Sequence, residues 1–93
     1  MADRLNQLEA LEKIKEGLLS LLGSPMRFRT NLGRCRILER VGVLEAVHPN
    51  LFVIRVDEPD KTRRISYTYV DVLTKTVELS HPQSNENLFP WLN

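Results

Sequence analysis

Two periodicities divide the chain. Over residues 3–22, Leu8, Leu11, Ile14, Leu18, Leu21 and Leu22 recur on one broad face, with Asn6, Glu9, Lys13, Glu16 and Ser20 opposite. Plotted at about 100° per residue, that is the stripe of an amphipathic helix. Glu9 and Lys13 form a favourably oriented i,i+4 pair. Asp3 can cap the start, and Gly23-Ser24-Pro25 can end the helix. A lone helix of this length is marginal in water, so its leucine face must pack on something.

From residue 25 to about residue 79 the period falls to two. Met26, Phe28 and Thr30 alternate with Arg27 and Arg29, and Cys35 and Ile37 alternate with Arg34 and Arg36. A further strand covers residues 43–47, after a bend or bulge at Gly42. His48-Pro49-Asn50 is a turn, and residues 51–56 are the most apolar strand. Residues 57–61 close a hairpin onto residues 62–69, where Ile65, Tyr67 and Tyr69 share one side. Residues 70–73 read as one 3₁₀ turn, and residues 74–79 as a last short strand. Five short, bent antiparallel strands close most economically into a barrel, because an open sheet of that size exposes two edges. The predicted fold is mainly β with one N-terminal α-helix, a small five-stranded SH3-like or Sm-like barrel. An open sheet with the helix across one face is the alternative. The predicted parts are the helix in 1–24, the barrel in 25–79 and a tail in 80–93, within a single domain. The tail is polar over residues 80–87 and apolar over Leu88-Phe89-Pro90-Trp91-Leu92. It can dock back on the barrel or helix, stay disordered, or engage a partner.

Composition narrows the class of molecule. At 93 residues with 42% apolar and 27% charged residues, the chain is an ordinary globular domain with no run long enough to span a bilayer. Its first residues carry acids and no continuous apolar stretch, unlike a secretory signal. One cysteine excludes an internal disulfide, and with two histidines it is too few for an ordinary zinc site. The expectation is a cytoplasmic protein with no cofactor, no metal and no membrane partner. Net charge is only +1, but residues 25–56 hold six arginines against two glutamates, while both flanks are mildly acidic.

That charge distribution concentrates on the first hairpin. If Thr30-Asn31-Leu32-Gly33 is its loop, Arg29 faces Arg34 and Arg27 faces Arg36, while Phe28 pairs with Cys35 and Met26 with Ile37. A shift of one residue would mix the faces, which the pleat penalises. Four clustered guanidinium groups repel one another unless something offsets them. Glu9, Glu12 or Glu78 could do so within the fold; otherwise nucleic-acid phosphate or an acidic protein surface would. Arg40, Arg55 and Arg64 are candidate extensions of such an anion site. Against single-strand binding, Phe28, Phe52, Tyr67 and Tyr69 all fall in the apolar phase of their strands, as core rings rather than stacking platforms.

Other candidates are weaker. Cys35 between two arginines could be a reactive thiol, but its phase makes it a core residue. His48 and His81 precede prolines at turns, without a carboxylate or thiol at triad or ligand spacing. Asp57, Glu58 and Asp60 lack the spacing of a calcium loop, and Asn31-Leu32-Gly33-Arg34 is no phosphate loop. No nucleophile–base pairing is recognisable, so an enzyme is not expected.

Asn31-Leu32-Gly33-Arg34, then Glu39-Arg40-Val41-Gly42-Val43-Leu44, the block 48–54 and above all the block 64–79 closely resemble the Veg family, small proteins of Gram-positive bacteria abundant in vegetative cells. The resemblance covers about residues 11–79. Family members often carry Gly-Gly-Arg where this chain has Leu32-Gly33-Arg34, and Tyr-Pro where it has His48-Pro49. The resemblance implies an SH3-like barrel, no assigned enzymatic reaction and a link to control of biofilm matrix genes. It implies no catalytic residues and nothing about the tail.

Two functions are therefore expected. One is a small regulatory barrel that reads nucleic-acid phosphate, without sequence preference, through Arg27, Arg29, Arg34 and Arg36. The other is a protein-interaction module that modulates a transcription regulator through the arginines or the tail. A homodimer is compatible with both, because the helix offers more leucine surface than so small a barrel needs.

Overall fold

The computed structural model describes residues 7–33 and 36–92, the side chains of Leu32 and Arg36 excepted. Helix α1 (Gln7–Leu19) leads into β1 (Pro25–Gly33), β2 (Arg36–Val47), β3 (Leu51–Asp57) and β4 (Thr62–Thr68). A short helix α2 (Tyr69–Leu73), strand β5 (Val77–Ser80) and a 3₁₀ turn (Pro90–Leu92) follow. The five strands form one antiparallel sheet in the order β4-β3-β2-β1-β5. This bears out the mainly β, barrel-like fold with an N-terminal helix.

The sheet curls far enough for β1 to meet β4, three places away in strand order. The Thr30 and Tyr67 hydroxyls share a hydrogen bond, and the Phe28 and Tyr67 rings meet edge to face at 5.9 Å. Gly42 allows the bend. A Cβ there would stand 2.5 Å from Ile54 Cγ2 and 2.8 Å from the Arg55 carbonyl, closer than any side chain tolerates. The alternating residues Met26, Phe28, Leu44, Phe52, Ile54, Val77 and Leu79 point inward and are sealed from solvent. Ile14 and Leu18 of α1 join that cluster, so the helix closes one end of the barrel. Each buried aliphatic side chain contributes about 1.5–3 kcal/mol. The helix ends at Leu19, three residues before the predicted end, and its predicted start at Asp3 lies outside the described residues. Leu8, Leu19 and Leu22 remain exposed. After the helix, Gly23 N–H donates to the Leu44 carbonyl at 2.7 Å and Leu44 N–H to the Ser24 carbonyl at 3.0 Å, fixing its exit to β2.

Residues 69–73 form a turn of α-helix rather than the predicted 3₁₀ turn. The reason is a reciprocal cap: the Thr68 side chain accepts from Asp71 N–H, and the Asp71 carboxylate accepts from Thr68 N–H at 3.0 Å. This places Tyr69 at a helix start instead of a strand end. Its hydroxyl donates to the carbonyls of His48 and Leu51, pinning α2 to the β2–β3 turn.

The tail docks back. Leu88 N–H donates to the Leu79 carbonyl, Asn87 bridges Ser80, and Phe89 is buried at 4% exposure.

Candidate anion and interaction surface

The first hairpin has a different register from the expected one. Gly33 pairs with Arg36, so β1 runs four residues past Arg29, after which the expected loop began. Arg29 faces Glu39 and Arg27 faces Val41, not Arg34 and Arg36. The same shift turns Ile37 outward, at 50% exposure, and makes Leu38 rather than Ile37 the residue on the Thr30 side. The physical reason is the apolar face: Met26, Phe28 and Leu44 pack together only if β2 enters the core through Gly42 and Leu44. Arg34 and Cys35 lie outside the described residues. Arg36 is placed only by its backbone, opposite Gly33.

The outer face carries four of the predicted arginines, each close to acid. Arg29 stands between Glu39 on β2 and Glu78 on β5, in register with both. Arg27 Nη1 is 3.9 Å from Glu39 Oε2, and its other terminal nitrogen donates to the Pro82 carbonyl at 3.1 Å. Two like charges do face each other, but on the second hairpin: Arg55 is directly opposite Arg64. Each has its own carboxylate, Arg55 with Asp57 at 3.5 Å and Arg64 with Glu45 at 2.8 Å. The hydrogen bond to Glu45, with its charge, holds the Arg64 guanidinium above its ordinary pKa. Glu45 reaches Arg64 because the β2–β3 register slips between Leu44 and Ala46. Three of these guanidinium groups thus lie within 4 Å of a carboxylate, and Arg29 is aligned with Glu39 and Glu78 by strand register alone. Of the acids expected to neutralise the hairpin, Glu78 is brought into register with Arg29, and Glu39, which was not foreseen, pairs with Arg27.

Arg40 sits apart, paired to Phe28 on the inner phase but exposed at the rim, with Nη1 on the carbonyl of its neighbour Glu39 at 3.0 Å. Among the described residues, Arg29 and Arg40 have no carboxylate within 4 Å. The rings are all internal: Phe28, Phe52 and Tyr69 are buried, and Tyr67 is half-buried with its hydroxyl on Thr30. Phe52 stacks with Tyr69 at 5.8 Å between centroids.

Sequence reasoning missed a recess of about 460 Å³ that separates α1 from α2, lined by Leu8, Leu11, Pro49, Tyr69 and Val70. The tail docks on the helix, one of the readings expected of it: Phe89 packs on Gly17, and Lys13 Nζ lies 4.6 Å from the Trp91 ring centroid. The apolar run 88–92 was its signal; the glycine that receives it had none. Among the described residues no His, Cys, Asp and Glu cluster has the makings of a metal site. No helix among the described residues is long and apolar enough to cross a membrane.

A curled five-stranded sheet closed by a helix, with acids and arginines mixed on its outer face, defines a small barrel-like domain. Residues 9–80 match the family model of the biofilm formation stimulator VEG. The chain belongs to that family, which consists of small regulatory proteins and is not a known enzyme family. No curated protein matches the chain.

Proposed function

We propose that this protein stimulates biofilm formation as a non-enzymatic module that docks a protein partner. The observation that carries this reading is the balance of the outer face: four arginines and four carboxylates interleaved by strand register, with every barrel ring turned inward. A polyanion gains little from such a face, because a phosphate contact at Arg27, Arg55 or Arg64 must displace an acid already in place. A protein surface with its own alternating charges fits it. Tagged protein should retain the same partner before and after nuclease treatment, at 0.3 M salt on the order of twice physiological strength. Loss of the partner on nuclease digestion would overturn the reading.

Phosphate reading is the rival, supported by Arg29 and Arg40, which lack a carboxylate within 4 Å among the described residues. It would use Arg27, Arg29, Arg34, Arg36, Arg40, Arg55 and Arg64. Exposed Leu8, Leu19 and Leu22 support a second copy as one partner, for which light scattering should give twice the chain mass.

A further inference from the structure

We infer that the surface made by α1, β5 and Arg27 is a peptide-docking site, and that the Leu88-Phe89-Pro90-Trp91-Leu92 tail is its displaceable occupant in cis. The inference deepens the protein-partner reading: it names the site, and an aromatic–proline–aromatic segment as the chemistry that competes for it.

The docking mode is visible in the tail itself. Backbone pairing, Leu88 N–H to the Leu79 carbonyl and Asn87 to Ser80, adds an extended segment to the free edge of β5. Specificity comes from one ring in one cleft. Phe89 is 4% exposed, and a Cβ at Gly17 would stand 2.8 Å from its Cε1. Trp91 meets Phe89 edge to face at 6.0 Å and lies under Lys13, yet keeps 38% of its surface exposed.

Three observations make this cover displaceable. The receiving residues Lys13, Gly17, Arg27, Val77 and Leu79 lie within the family match at 9–80, whereas residues 81–93 lie outside it. The receiving residues thus lie inside the matched region and the occupant outside it. The fit is incomplete: a recess of about 250 Å³ remains between Val72, Val77, Phe89 and Leu92. Arg27 gives one bond to Pro82 but keeps its Nε buried without an acceptor, a group that a better ligand would satisfy. Residues 83–87, the link to the docked segment, are exposed.

The test uses the full chain carrying Phe89→Ala, shown folded by circular dichroism, and a fluorescent peptide of residues 84–93. Freed of its internal competitor, F89A should bind the peptide about ten-fold or more tighter than wild type. Adding Gly17→Val should abolish that binding. If F89A fails to fold, Trp91→Ser with Leu92→Ser loosens the tail while keeping Phe89, and the same order is expected. A folded variant that binds no tighter than wild type, or binding that survives G17V, overturns the inference. Either result beside an intact nuclease-resistant partner removes this site alone and leaves the protein-partner reading standing.

Discussion

On the inner face of the sheet, Phe28, Phe52 and Ile54 are completely sealed from solvent, and two tyrosines lock their hydroxyls onto barrel acceptors. On the outer face, Arg27, Arg55 and Arg64 are paired with acids that keep part of their side chains in water, and Arg29 stands in register with Glu39 and Glu78. Both faces alternate with the same pleat, yet only one of them decides how the strands align. Burial of a ring removes some hundreds of Å² from water and is worth several kcal/mol. A solvated ion pair is worth at most about 1 kcal/mol. The charges consequently follow a register that the apolar residues impose.

The contrast is sharpest in the core. Phe52→Ala removes a ring that touches both Tyr67 and Tyr69 and should cost about 3–5 kcal/mol in urea denaturation. So small a domain would be left largely unfolded by that loss. Gly42→Val forces a side chain against Ile54 and the β3 backbone. A loss of about 1–3 kcal/mol is expected, with the β2–β3 amide shifts most disturbed by NMR.

Tyr69→Phe should cost about 1–2 kcal/mol, because the His48 carbonyl loses the hydroxyl donor and the Leu51 carbonyl is left with His48 N–H alone. Burial raises the Tyr69 pKa above the usual tyrosine value. The folded state therefore holds that proton more firmly than the unfolded chain. Its contribution is full below about pH 10 and is lost as pH rises beyond it. Wild type should lose stability more steeply than Y69F as pH rises above about 10; parallel curves would contradict this. Arg29→Gln sits at the other extreme and should move the unfolding free energy by no more than about 0.5 kcal/mol. A larger loss would mean that the outer face shapes the register after all.

Much of this architecture was legible from period alone. Met26, Phe28 and Thr30, then Phe52, Ile54 and Val56, read inward and are inward. The helix face centred on Ile14 and Leu18 was equally clear. The first hairpin was misread because Cys35 and Ile37 continue the alternation of β1 on paper, whereas β1 runs on to Gly33 and Gly33 pairs with Arg36. A turn without a strong glycine or proline signal leaves hairpin length open, and only the fit of Gly42 and Leu44 into the core settles it. The Arg29–Glu39 and Arg29–Glu78 pairings depend on that same register. The α2 cap was readable in Thr68 and Asp71, three residues apart, but the alternation of Ile65, Tyr67 and Tyr69 concealed it.

The most direct measurement is a titration of labelled single-stranded and double-stranded oligonucleotides with the full chain, from low to physiological salt. A charge-balanced outer face is expected to give no saturable binding at any salt. Saturable binding with a log K against log salt slope of about −3 to −4, flattened by about 2 on replacing Arg27 and Arg36, would contradict it.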